Sequence, residues 1–86
     1  MYVEPTKEPM IRVNLNSIEK VKDFVSIINS CDVDLDLVHD RYVVDAKSIM
    51  GIFSLNISKP INLIIHTVDE KRINEIKTLL AAYIVE

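Results

Sequence analysis

Lys47-Ser48-Ile49-Met50-Gly51-Ile52-Phe53-Ser54-Leu55 is the stretch on which the reading of this chain turns. A hydroxyl stands where a short helix would start, and an apolar run follows with the chain's single glycine inside it. The Ser48 hydroxyl can accept a hydrogen bond from the free backbone amides of a first turn, which is the service of an N-cap. A short amphipathic helix must bury one side, and Ile52 with Leu55 are expected to do so. Ile49, Met50 and Phe53 then either pack as well or form an apolar patch on the surface.

Upstream of this stretch, Val33-Asp34-Leu35-Asp36-Leu37 alternates apolar with acidic residues, the pattern of a strand with one wet face. His39-Asp40 reads as a turn, and Arg41 to Ala46 as the returning strand of a hairpin. Downstream, Asn56 to Pro60 is a loop, and Ile61 to Thr67 is a strand with Ile61, Leu63 and Ile65 on one face. Thr67 and Glu70 have the spacing of a capping box for a last helix. In that helix Ile73, Ile76, Leu80 and Tyr83 recur at helical spacing, while Lys71, Arg72, Glu75 and Lys77 face water.

Nearer the start, Met10 to Leu15 alternates, with Ile11, Val13 and Leu15 on one face. Asn16 and Glu19 suggest a second capping box, starting a helix at Ser17 or Ile18 that ends near Asn29 or Ser30. Its apolar stripe runs Ile18, Val21, Val25 and Ile28, widened by Phe24 and Ile27. Residues 1–9, with Pro5 and Pro9 among mixed charges, form a tail or an irregular lead-in, and residues 10–86 one domain. The order is strand, helix, strand, strand, helix, strand, helix. Cleanly alternating strands imply an antiparallel sheet covered on one face. The expected fold is therefore α+β, an open-faced two-layer sandwich of four strands and three helices. Local pattern leaves the order of the strands in the sheet open.

Eighty-six residues suffice for one small domain. A net charge of −3 argues against direct binding of nucleic acid. The apolar runs are far shorter than the roughly 20 residues that span a bilayer, and residues 1–9 hold no apolar block of a signal peptide. A single cysteine, Cys31, suits a reducing cytoplasm and is expected as a buried thiol. No metal or cofactor is expected. His39 and His66 read as solvated surface histidines, and Asp32, Asp34 and Asp36 as the wet face of a strand rather than a calcium loop, since no glycine follows them.

The octad from Ser48 to Leu55 resembles the regulatory-serine helix of the histidine-containing phosphocarrier proteins (HPr) of bacterial sugar phosphotransferase systems. The family pattern there is Ser-Ile-Met-Gly-Val-Met-Ser-Leu, from which Ile52 and Phe53 depart, both remaining apolar. The resemblance runs in register from Val21 through the final helix and implies the HPr open-faced sandwich. It implies also that Ser48 is a candidate for phosphorylation by an ATP-dependent kinase, with Ile49, Met50 and Phe53 as the neighbouring docking face. Protein partners of the kind implied are an HPr kinase or a transcriptional regulator.

The resemblance fails at the family's active site. There the pattern is Gly-Ile-His-Ala-Arg-Pro-Ala, whose histidine accepts the phosphoryl group. In register, Ser17 stands at the histidine's place, Glu19 at the arginine's and Lys20 at the proline's. The loop before them is also shorter. A hydroxyl does not form the labile N–P bond needed for onward transfer, and a carboxylate beside it repels phosphate. The reading is thus an HPr-like protein without the acceptor histidine, a cytoplasmic regulatory or interaction module and not an enzyme. The alternative is a working phosphocarrier of the phosphoenolpyruvate-dependent system. A separate enzyme is disfavoured, since no cysteine–histidine pair or glycine-rich phosphate loop is evident.

Overall fold

The computed structural model describes residues 8–85, and the elements follow as β1 (Met10–Val13), α1 (Ile18–Asn29), β2 (Leu35–His39), β3 (Tyr42–Asp45), α2 (Ile49–Phe53), β4 (Ile61–Ile65), α3 (Glu70–Leu79) and β5 (Ile84–Val85). The strands make one sheet in the order β3-β2-β4-β1-β5, antiparallel at every pairing. The architecture is the expected α+β open-faced sandwich, with five strands where four were expected. Among the described residues no helix is long and apolar enough to cross a membrane.

The inner face of the sheet follows the alternation of the sequence. Val13 of β1, Leu35 and Leu37 of β2, and Ile61, Leu63 and Ile65 of β4 are all buried. Onto them α1 lays Val21, Phe24, Val25 and Ile28, α2 lays Ile52, and α3 lays Ile76 with Leu80 just beyond its end. Each such side chain removed from water contributes about 1.5–3 kcal/mol before chain entropy is counted against it. β4 is central because it pairs on both sides, Leu63 lying opposite Leu37 in β2 and opposite Ile11 in β1.

The fifth strand replaces the expected end of the last helix. Tyr83 was placed on that helix, yet α3 stops at Leu79, Leu80 is its C-cap, and the Tyr83 amide turns back to the Leu80 carbonyl at 2.9 Å. Ile84 and Val85, both β-branched, then pair with Val13 and Arg12. Unpaired backbone groups at the rim of β1 outweigh two more residues of helix there. Tyr83 lies half-buried, its ring edge-on to Phe24 with centroids 5.9 Å apart.

The helix starts also shift. The N-cap of α1 is Ser17, whose Oγ accepts from the Lys20 amide at 3.1 Å, and Asn16 is exposed outside it. The N-cap of α3 is Asp69, accepting from the Lys71 amide at 3.0 Å, while Thr67 Oγ1 accepts from the Asp69 amide. Asn-Ser and Thr-x-Asp each offer two capping side chains, and the backbone dihedrals choose between them. The hairpin turn is Asp40-Arg41 rather than His39-Asp40, because His39 pairs with Tyr42 and Asp40 takes a left-handed φ of 54°. Cys31 is half-buried rather than buried, its Sγ 3.9 Å from the Ile27 carbonyl oxygen. Residues 1–7 of the expected tail lie outside the described residues. The Pro9 carbonyl accepts from the Ile65 amide at 3.0 Å, which carries the β1–β4 pairing one residue further.

Candidate functional site

α2 is only five residues long, and its position rests on local contacts at both ends. Ser48 sits at its N-cap in an extended conformation, and its Oγ accepts from the Gly51 amide at 3.2 Å. The Ser48 carbonyl accepts from Ile52 and its amide donates to the Asp45 carbonyl, both at 3.0 Å, so the serine joins the end of β3 to the start of α2. Asp45 Oδ1 accepts from the Lys47 amide at 2.9 Å, and Lys47 Nζ donates to the Cys31 carbonyl at 2.8 Å. Space at Gly51 is tight: a Cβ there would lie 3.3 Å from both Ser48 Oγ and Val44 Cβ. The bare Cα of Gly51 thus comes close to Val44 of β3.

With Ile52 fully buried, the outward residues of α2 are set. Ile49 is half-buried against the core, Phe53 is 41% exposed and Met50 is 80% exposed. α1 packs beside α2. Ile18, expected in the buried stripe of α1, is 60% exposed instead. It is the first helical residue, and the stripe it begins is covered only from Val21 onward.

Ser17 and Glu19, which the resemblance puts at the places of the acceptor histidine and the arginine, lie at the start of α1. Ser17 Oγ serves as the cap, and Glu19 is exposed in the first turn. The oxygen of Ser17 thus takes up the amide of Lys20, and the first turn carries one acid, Glu19, and one base, Lys20. Ser54 Oγ, at the other end of α2, donates to the Gly51 carbonyl and closes that helix.

The two histidines are not the solvated residues expected from sequence. The His39 side chain is mostly covered, lying on the same face as Leu35 and Leu37, with Nε2 3.7 Å from Asp40 Oδ2. His66 lies at the end of β4 between two carboxylates: Nε2 is 2.8 Å from Asp36 Oδ2, and Nδ1 is 3.1 Å from Glu8 Oε1. Hydrogen bonds to Asp36 and then Glu8 raise its pKa above the usual 6.5, partly offset by burial. Sequence reasoning missed this cluster. The outward parity of Asp36 was legible, but not that β4 would lie next to β2. Asp32, expected on a bare wet face, pairs with the Arg72 guanidinium of α3. Among the described residues no group of three or more His, Cys, Asp or Glu side chains could hold a metal ion.

No family model and no curated protein matches the chain. Solved structures do. HPr-C-His from Thermoanaerobacter tengcongensis superposes with a TM-score of 0.66 at 27% identity, over 90% of this chain and 93% of that one. The phosphocarrier protein HPr from Bacillus anthracis gives 0.65 at 25% identity, over 87% and 99%. The Bacillus subtilis catabolite repression protein Crh, described as a swapped, intertwined dimer, gives 0.60 at 24% identity, over 99% and 100%, and is a likeness of fold alone.

Proposed function

Because the chain has the fold of the HPr family, we propose that it is a phosphotransferase-system-related regulatory module that does not itself carry phosphate. It acts in the cytoplasm by binding other proteins, without catalysing a reaction. The observation that supports this most directly is Ser17 at the head of α1, its Oγ engaged by the Lys20 amide and Glu19 beside it. A transferring site needs an imidazole nitrogen there, and this helix start supplies a hydroxyl, with Glu19 and Lys20 side by side in its first turn.

Regulation falls to Ser48. Its Oγ already faces the Gly51 amide, so a phosphate of about −2 charge on it would meet the free amides of the first turn of α2. The modification changes the charge next to Met50 and Phe53 without removing a core contact, since Ile52 alone of α2 is fully buried. Ile49, Met50 and Phe53 form the docking face, and the partners are an HPr kinase and a transcriptional regulator that reads the phosphoserine.

Two phosphorylation assays read by intact mass test this. One supplies phosphoenolpyruvate with the general phosphotransferase enzyme, the other ATP with an HPr kinase. A single phosphate from the kinase alone, absent in Ser48→Ala, is the expected result. An acid-labile adduct from phosphoenolpyruvate would make the protein a carrier instead.

A further inference from the structure

We propose that β3 is the interface of a two-fold dimer, in which two copies of this chain pair antiparallel through their β3 edges with Val43 opposite Val43. β3 stands at one end of the sheet order β3-β2-β4-β1-β5, so among the described residues one of its sides has no strand beside it. The register with β2 says which groups face that side. Ala46, which continues the β2–β3 register opposite Leu35, gives its amide to the Leu35 carbonyl at 2.9 Å. Bonded and non-bonded pairs alternate along an antiparallel ladder. Tyr42 and Val44 therefore bond to β2, while the backbone groups of Val43 and Asp45 point to the outer edge. The Asp45 carbonyl there is taken by the Ser48 amide at 3.0 Å, and the Val43 amide and carbonyl have no partner among the described residues. An unpaired strand edge is a template for another strand.

Charge complementarity along this edge makes a second copy its occupant. An antiparallel pair centred on Val43 sets Arg41 of each copy opposite Asp45 of the other, and Tyr42 opposite Val44. Two opposite-charge pairs then flank the Val43–Val43 contact, and cross-strand pairs of these kinds stabilise a sheet. Sliding the copies by two residues sets Val43 against Arg41 or Asp45 and loses both charge pairs. The side chains are free to meet: Tyr42 is 61% and Val43 62% exposed, and Arg41 and Asp45 are exposed as well. Arg41 makes no ion pair among the described residues. Asp45 Oδ1 accepts from the Lys47 amide at 2.9 Å, which leaves its second oxygen for a guanidinium. Each copy uses the same edge, so the contact is isologous and the assembly closes at two.

Analytical ultracentrifugation of the whole chain from about 10 μM to about 1 mM tests this, the range in which a small interface is populated. Wild type should sediment as a reversible monomer–dimer equilibrium. Arg41→Asp and Asp45→Arg should each raise the dissociation constant at least about tenfold, since like charges then face each other. An equimolar mixture of the two should recover the dimer, because each copy again meets the opposite charge. Val43→Pro removes an outward amide that the fold does not use, so it should be monomeric yet melt near wild type. Amide exchange by NMR places the contact: protection of Val43 should rise with concentration, and that of Met50 should not. A chain that stays monomeric at every concentration overturns the proposal. So does a dimer that Arg41→Asp and Val43→Pro leave intact, or one whose concentration-dependent protection falls on β5 instead of Val43.

Discussion

The backbone of Gly51 in α2 approaches Val44 of β3 so closely that a Cβ would lie 3.3 Å from the Val44 Cβ and equally near Ser48 Oγ. Neither neighbour can yield freely: Val44 is held opposite Leu37 in the sheet, and Ser48 is capping the helix. Gly51→Val should therefore destabilise the protein by about 1–3 kcal/mol, despite the gain in helix propensity over glycine. Urea denaturation would show it as a lower midpoint at unchanged slope.

Ser48→Ala removes the acceptor for the Gly51 amide. A loss of about 1 kcal/mol follows from the cap alone, with Ser48→Thr and Ser48→Asp close to wild type. Thermal melts of the four proteins side by side check this. A Ser48→Ala variant as stable as wild type would mean that the cap is not holding α2.

Met50 is 80% exposed and makes little of the core. Met50→Asp should change stability by less than about 0.5 kcal/mol, as surface substitutions do. If α2 is the docking face, the same change should weaken binding of the kinase at least about tenfold, which is 1.4 kcal/mol. Calorimetric titration of an HPr kinase with both proteins separates the two effects, because Ile52→Ala must lose stability instead.

Phe24 is fully buried and meets the edge of Tyr83. Phe24→Ala should cost about 3–5 kcal/mol, a large part of the roughly 5–15 kcal/mol that holds a domain of this kind folded. The variant should melt well below wild type or fail to fold, and the Tyr83 hydroxyl, whose pKa burial raises, should titrate nearer its ordinary value. A spectrophotometric tyrosine titration follows the latter in any folded fraction.

The His66 cluster contributes to the pH dependence of stability. Its folded pKa is raised above 6.5, so protons bind the folded chain more tightly than the unfolded one. The contribution is complete below pH 6.5 and is lost as pH rises through the raised folded value. Denaturation series at successive pH values should show wild type losing this increment on the alkaline side. His66→Gln should give a flatter curve, and equal slopes for the two proteins would refute the assignment.

The features that the sequence determined are those that close within a few residues. Alternation in Leu35–Leu37 and in Ile61–Ile65 names the inner face of each strand, because successive side chains point to opposite sides. The Ser48 cap spans three residues to Gly51, whereas the close approach of that glycine to Val44 belongs to the folded structure. Even locally the caps moved: Asn16 and Thr67 were expected, and the backbone dihedrals put Ser17 and Asp69 in their place. What tertiary structure alone decided is who lies beside whom. Placing β4 between β2 and β1 brings His66 to Asp36, 30 residues away, and to Glu8, 58 residues away. Pairing at the rim of β1 ends α3 early and makes a strand of Ile84 and Val85. Hydrogen bonds between strands carry no mark of their partner in the local pattern, so these contacts exist only once the whole sheet has closed its backbone groups.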